Sequence, residues 1–392
     1  MRMIFLRLFL GLLFSLGVSV GSAAGAETEF RGAWVATVYN LDWPSKPGLA
    51  PATQKAQFRA ILDRAAELHL NAILLQVRPA SDALYNSRYE PWSQFLSGKA
   101  GVSPGYDPLA FAISEAHLRG IELHAWINPF RAAISATASL PSDHVAKKHP
   151  EWVRRFGKQL WIDPGNPDAR QYVIDVVTDL LGRYDVDGIH LDDYFYPYPL
   201  RVGEATFPDD ATWQRFGRKS GLTRAEWRRA NINDFVHSLY RAVKATRPRA
   251  RFGISPFGIW RPGVPPTIRA GVDAYGQLFA DARKWLAEGW VDYLAPQLYW
   301  SIEPAEQSFP VLLDWWRAQS NGKAIWPGIA TERIGSKRPA REIVRQIELT
   351  RRGTSSPGQI HWSMKALMRD QGRIDELLRQ GPYAEKAELP PR

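Results

Sequence analysis

The chain has 392 residues, 45% of them hydrophobic, enough for one large domain or two ordinary ones. It contains no cysteine, which excludes disulfides, thiolate metal ligands and a cysteine nucleophile. The formal charge of +10 is spread along the chain rather than blocked, which suits a soluble basic surface or an anionic polymer as partner.

Residues 1–26 read as a secretory signal. Arg2 and Arg7 form a basic start, residues 8–20 an apolar core, and Ala24-Gly25-Ala26 fits a small-residue cleavage site. The apolar run is short for a bilayer span, which needs about 20 residues. The expectation is a periplasmic or secreted protein, not membrane-inserted after cleavage, and that location argues against nucleic acid as a partner. Sixteen Trp and fourteen Tyr is a heavy aromatic load. Many lie in Pro- and Gly-rich loops beside Asp, Asn, Gln and Arg, a composition that suits stacking on sugar rings.

In chain order, residues 30–39 predict a strand and 54–68 a helix, with Phe58, Ile61, Leu62, Ala65 and Leu68 at helical spacing. A second strand follows at 72–77 and a helix at 108–119, stopped by Gly120. The run 121–128 alternates cleanly as a third strand, with Glu122, His124, Trp126 and Asn128 on its polar set. Residues 168–184 predict a helix, 186–191 a fourth strand, and 212–246 one long or broken helix. Strands are then expected at 251–256, 291–299, 323–330 and 359–363, and helices at 275–288, 309–318, 339–350 and 365–379. The charged, Pro-rich stretch 381–392 reads as a flexible tail. Strict β/α alternation over residues 27–380 predicts one α/β domain, a (β/α)8 TIM barrel with long βα loops. A doubly wound sheet would carry a Gly-rich phosphate turn, and GxGxxG is absent. The long connections 79–107, 129–167, 193–211 and 257–272 all follow strands, on the side where barrel enzymes keep their sites.

The stretch VDGIHLDDYFYP at 186–197 is the centre of the functional reading. Ile189 and Leu191 form one face of a strand, while Gly188, His190, Asp192 and Tyr194 form the other. Asp192 and Asp193 close it. Cleaving a glycosidic bond takes two carboxyl groups, or one carboxyl plus an acetamido group of the substrate. Asp192 is the best-placed carboxyl, with Asp193 beside it and Asp82, Asp42, Glu303 and Glu332 as further loop carboxyls. The polar ends of the other strands supply Gln76, Arg78, Asn128, Ser255, Gln297, Tyr299, His361 and Ser363. A catalytic metal is not expected, since neither HxH nor HExxH occurs and few of the eight His fall on inward positions. GxSxG is missing as well. No cofactor is expected. Two other classes stay open: a barrel that holds glycan without cleaving it, and a metal-dependent hydrolase such as a deacetylase.

The stretches RGAWVATVYNLDWP (31–44), NAILLQVRPASDALYNSRYEPWSQFLSG (71–98), GYDPLAFAISEAHLRGIELHAWINPFR (105–131), DGIHLDDYFYP (187–197), FGISPFGIWRP (252–262) and DYLAPQLYW (292–300) together resemble the family-10-like glycosyl hydrolases, in particular their division-associated peptidoglycan-cleaving type. The resemblance implies a (β/α)8 barrel that hydrolyses glycan in the cell envelope, with glycan strands of peptidoglycan that have lost their stem peptides as substrate and the divisome as a possible associate. It puts Asp192 and Asp193 in the active-site motif, with Arg78 and Asp82 after strand two and Asn128 and Arg131 after strand three. Gln297, Tyr299 and Trp300 fall in the strand-six motif. The expected catalytic set is therefore Asp192, Asp193 and Asp82. Arg78, Trp126, Asn128, Arg131, His190, Tyr194, Trp260, Gln297, Tyr299 and Trp300 are expected to bind substrate. The fourth-strand run is also similar to the chitinase pattern DGxDxDxE, but His190 and Tyr194 replace its second Asp and its Glu, which speaks against the chitinase acid at that place.

Overall fold

A computed structural model describes residues 28–200, 206–335 and 338–392, and the signal segment expected over 1–26 lies outside them. Eight parallel strand segments form the barrel: β1 (Phe30–Val35), β2 (Ala72–Arg78), β3 (Glu122–Ile127), β4 (Gly188–Leu191), β5 (Arg251–Ile254), β6 (Tyr293–Leu294), β7 and β8 (Gly358–His361). β7 comes in two pieces, Ala324–Ile325 and Gly328–Ile329. The first pairs with β6 and the second with β8, so this one interrupted segment joins the two ends of the sheet. Pro327 causes the interruption, since it has no N–H to give the ladder. Bonds from Gly328 N to Pro296 O and from Leu298 N to Gly328 O carry the closure past the break.

The helices alternate with the strands as expected: α1 (Pro51–Glu67), α2 (Pro108–His117), α3 (Pro167–Arg183), α4 (Arg224–Thr246), α5 (Ala282–Ala287), α6 (Phe309–Ala318), α7 (Ala340–Arg351), and the pair α8 (Met364–Met368) and α9 (Ile374–Arg379). Their starts are written in the sequence. Asp107 caps α2, Asn166 caps α3, and Thr223 with Glu226 forms a capping box on α4. Among the described residues no helix is long and apolar enough to cross a membrane.

Two apolar layers flank the strands. Phe30, Trp34, Leu74, Trp126, Tyr293, Trp326 and Ile360 fill the barrel, and a larger layer lies between strands and helices. Every residue of β1 to β5 is buried, as expected of a parallel sheet covered on both faces. Small residues make room for the large interior rings. A Cβ at Gly253 would lie 2.0 Å from the Tyr293 ring, and one at Gly188 would lie 2.9 Å from the His124 imidazole.

Several expectations change, beginning with the strand predicted over 30–39, which stops at Val35 before a 3-10 turn at Val38–Asn40. The strand predicted over 291–299 has only two ladder residues, because Pro296 interrupts it, although Gln297 still bridges to Phe257 and Gly328. The helix predicted over 275–288 shrinks to α5. The helix predicted over 365–379 breaks where Asp370 and Arg373 take left-handed backbone angles. Finally, the stretch from Gly381 is docked rather than loose. Tyr383 is fully buried and its hydroxyl meets Gln359 Nε2 at 2.7 Å and His361 Nε2 at 2.9 Å. Arg251 donates to Pro390 O, and Arg392 reaches Glu122 at 2.7 Å and Asp187 at 2.6 Å. The tail thus crosses the end of the barrel where the strands begin.

Removing residues 381–392 should therefore lower the melting temperature by about 5 °C or more, given that each kcal/mol is worth about 2–4 °C in domains of about 150–250 residues and less in a larger one, and that several buried bonds are lost at once. A truncated chain that melts with the full-length protein would show that the docked tail adds nothing to stability.

Candidate active site

At the other end of the barrel, backbone N–H groups just after β1 and side chains from the ends of β2, β3 and β4 form one hydrogen-bonded series. The backbone N–H groups of Thr37 and Val38 donate to Gln76 Oε1, both at 2.9 Å. Gln76 Nε2 donates to Asn128 Oδ1 at 2.5 Å, and Asn128 Nδ2 in turn donates to Asp192 Oδ2. Trp126 Nε1 meets the same carboxylate oxygen at 3.2 Å, and Tyr194 N meets Oδ1 at 3.2 Å. Each amide in the series has its orientation set by the one before it.

Asp192 is 4% exposed and Asp193 2%. Burial pushes the Asp192 carboxyl up to about 7, with the neighbouring Asp193 charge adding to the rise and the Arg131 guanidinium opposing it. Asp193 is raised too, again by burial, against the hydrogen bonds it accepts from Tyr198 and Gln297. The two adjacent carboxyls thus have different partners. Arg131 is held at the start of a small antiparallel sheet (Arg131–Ala133, Gln159–Ile162 and Val153–Phe156) inserted after β3. Its guanidinium lies 4.6 Å from the Tyr194 ring centre, and its buried Nε has no protein partner. A guanidinium cation beside two carboxyls can take a sugar hydroxyl or amide oxygen.

Gln297 is half-buried and joins Ser255 O at 3.0 Å while bonding to Asp193. Burial pushes the Tyr299 phenol far above its usual pKa, with the charges of Asp193 and Glu332 adding to the rise. Its ring stacks near Trp362, with centres 6.3 Å apart. Trp300 belongs to an aromatic row at the rim: Tyr194 to Tyr198 at 5.5 Å, Tyr198 to Phe257 at 6.3 Å, and Phe257 to Trp300 at 5.7 Å. Asp192, Asp193, Trp126, Asn128, Arg131, Tyr194, Gln297, Tyr299 and Trp300 are therefore brought to one mouth.

Four expected residues lie elsewhere. Arg78 is fully buried and all five of its N–H donors are engaged, by Glu90, by the Asn128 and Pro129 carbonyls and by Ser81. It braces the loops after β2 and β3 and has nothing left for a substrate. His190 sits below the mouth, fully buried, with its nitrogens meeting Trp34, Ser255 and Tyr293 at 3.0–3.1 Å. Burial holds its pKa well below the usual value, so it is a neutral interior ring. Asp82 accepts from Ala80 N at 2.9 Å and lines a narrow gap with His144. Burial raises it to about 6, and its electrical neighbours are Glu90 and Arg78 rather than the Asp192–Asp193 pair. Trp260 packs with Tyr275 and Trp315 outside the mouth.

Trp362, Trp34 and Tyr198 were not singled out by sequence reasoning. Trp362 lies 6.0 Å from both Trp126 and Trp34. Alternation with His361 would send it outward, but β8 ends at His361 and the rule stops applying there. Tyr198 had a signal in the aromatic run Tyr194-Phe195-Tyr196 followed by Pro-Tyr-Pro. Of the other loop carboxyls, Glu303 pairs on the surface with Arg345, while Asp42 and Glu332 border a cavity beside Trp362. Among the described residues, no group of three or more His, Asp and Glu is gathered to hold a metal ion.

A family profile described as Glycosyl hydrolase-like 10 matches residues 29–342. The chain is 40% identical over 390 residues to Glycosyl hydrolase YngK of Bacillus subtilis (strain 168), covering 96% of this chain and 76% of that protein. It is 34% identical over 342 residues to Glycosyl hydrolase DigH of Escherichia coli (strain K12), covering 80% of this chain and 77% of that one. Among solved structures, the glycoside hydrolase domain of PgaB (BpsB) from Bordetella bronchiseptica matches with a TM-score of 0.55 at 14% identity, over 90% of this chain and 98% of that one. Alpha-L-fucosidase isoenzyme 2 from Paenibacillus thiaminolyticus matches with a TM-score of 0.57 at 13% identity, over 91% of this chain and 49% of that one. At such identities the two structures speak to the fold.

Two outcomes follow from this geometry. Arg78→Met leaves Glu90 buried and unpaired, and should cost about 3–5 kcal/mol in urea unfolding; a cost under 1 kcal/mol would rule out the bracing role. Asp192 has a folded pKa above that of the unfolded chain, so its favourable share of stability is complete below about pH 4 and is lost as pH rises through about 7. Asp192→Asn carries no charge at any pH. Its melting temperature, measured relative to wild type, should therefore climb from pH 5 to pH 8, and a constant difference would contradict the raised pKa.

Proposed function

The chain is a glycoside hydrolase of the Glycosyl hydrolase-like 10 family, and on that premise we propose that it is an exported enzyme cleaving the glycan strands of the cell wall, peptidoglycan freed of stem peptides, by carboxyl chemistry at Asp192 and Asp193. One observation carries the reading: two adjacent carboxyls lie buried at a barrel mouth with different partners, and burial holds one of them partly protonated near neutral pH. A glycosidic oxygen needs a proton as its bond breaks, and an acid with a pKa near the working pH gives it best. Asp192 takes that role. Adjacent residues of one strand end approach the sugar from one side, whereas a nucleophile or base acting alone would face the acid across the bond. Asp193 therefore orients an acetamido group of the substrate, whose own oxygen closes on the anomeric carbon as the leaving oxygen is protonated at Asp192. Amino-sugar glycans supply that group. Arg131, Gln297 and Tyr299 hold its polar atoms, and the aromatic rim carries the flanking rings.

Export to the periplasm or beyond is supported by the basic, apolar and small-residue order of residues 1–26. Association with the division machinery rests on the family resemblance alone.

The test is release of new reducing ends from purified glycan strands. Asp192→Asn and Asp193→Asn should each lower turnover by about 100-fold or more, in line with the loss of a general acid or of an oriented group. With an aryl glycoside whose leaving group needs no proton, Asp192→Asn should recover activity and Asp193→Asn should not. Wild-type turnover should fall as pH rises through about 7, the limb belonging to Asp192. Full activity in Asp192→Asn would overturn the assignment, binding without new reducing ends would favour a non-catalytic glycan holder, and loss of activity on chelation would favour a metal-dependent hydrolase.

A further inference from the structure

We infer that the catalytic mouth continues past Trp362 into a second sugar subsite that takes a carboxylate-bearing unit of the glycan, stacked on Trp362 and held by Lys365 and Arg369. The inference deepens the glycan-strand reading above and rests on it for the identity of the polymer.

A cavity of about 330 Å³ opens between the loop after β1 and the start of α8, bordered by Leu41, Asp42, Glu332, Trp362, Lys365 and Arg369. That volume is at the lower end of small-ligand sites, about 300–1,000 Å³. Trp362 is the shared wall. It lines this cavity, and its ring also approaches Trp126, the donor to Asp192, and Tyr299. A chain whose one ring lies at Asp192 therefore meets Trp362 next.

The charges in the cavity are not balanced in what they offer a ligand. Asp42 is tied down by three donors: Ser363 Oγ at 2.6 Å, Lys365 N at 2.7 Å and Ala36 N at 2.9 Å. Glu332 accepts a hydrogen bond from the Trp362 side chain. Lys365 and Arg369, four residues apart and so on one side of the helical turn, are both exposed, and neither makes a salt bridge with a described residue. Both carboxylates are held by donors, while the two cations sit on long exposed side chains, Lys365 close enough to act on the Asp42 charge, so the charge able to reach a ligand is positive. An aromatic face beside two exposed cations suits a sugar ring bearing a carboxylate, such as an amino sugar with a lactyl ether, better than a neutral hexose. A second cavity of about 340 Å³ shares Leu41, Asp42, Lys365 and Arg369 and runs on over Ala60 and Ile61. Two consecutive cavities sharing one edge make a trench, which fits a polymer rather than a single sugar.

Two measurements on the full chain test this. The first is equilibrium binding, read by tryptophan fluorescence, of peptide-free glycan fragments with native carboxylates and of the same fragments with the carboxylates reduced to alcohols. Wild type should bind the native fragments about tenfold more tightly or better. The Lys365→Ala/Arg369→Ala variant should bind both alike, at the level wild type shows for the reduced fragments. An Arg218→Ala/Lys219→Ala control, which removes the same charge from the connection before α4, should keep the wild-type preference. The second is cleavage: the loss in Lys365→Ala/Arg369→Ala should fall on KM, with kcat within about twofold. A double variant that keeps the carboxylate preference, or a wild type without one, overturns the subsite. Wild type that shows the preference yet releases no reducing ends overturns the hydrolytic reading and leaves the subsite standing.

Discussion

The geometry of the mouth depends on a buried amide relay. Backbone N–H groups after β1 fix the Gln76 carboxamide, Gln76 fixes Asn128, and Asn128 with Trp126 fixes Asp192. Buried polar groups must find partners, and an unmade bond in a dry interior costs about 1–3 kcal/mol. Every member of the relay is therefore held by the penalty of letting go. The result is a carboxyl whose direction is set by four strands at once and whose burial keeps a proton on it near neutral pH. An exposed aspartate could have neither property.

Below the relay the barrel interior is a packing layer with polar members. His190 and His124 meet at the Tyr293 hydroxyl, both at 3.0 Å, and Trp34 and Ser255 complete the bonding of His190. Glycines at 188 and 253 admit those rings. Further down, where the strands begin, the chemistry turns ionic: Arg31 with Glu29, Arg251 with Glu122, and the docked C-terminal stretch across them. The barrel is thus layered from catalytic mouth to aromatic middle to charged base, and each polar strand residue draws its role from its height in that stack.

Height along the axis explains the mixed fate of the expected site residues. Strand alternation correctly sent His190 and Asp192 to the same inward face, yet two residues along a strand is about 6–7 Å of rise, enough to move one from the mouth to the barrel interior. Arg78 ends its strand beside the mouth, but Glu90, twelve residues later, folds back and encloses it. Asp82 and Trp260 lie on long loops, where alternation gives no direction at all. Trp362 went unnoticed for the converse reason, since its strand ended one residue earlier.

What the amino-acid sequence determined by itself is the order of the barrel elements, the inward face of the third and fourth strands and the adjacent carboxyls at the end of the fourth, because these follow from local periodicity and from proline, glycine and capping residues at the boundaries. The stretches 31–44, 71–98, 105–131, 187–197, 252–262 and 292–300 also carried the family. Only the tertiary structure decided which inward residues reach the mouth, that β7 closes the sheet in two pieces, that the C-terminal stretch docks, and that two adjoining cavities open beside the Trp362 loop. Those outcomes depend on contacts between residues far apart in the chain, and on the burial those contacts create, neither of which any local pattern encodes.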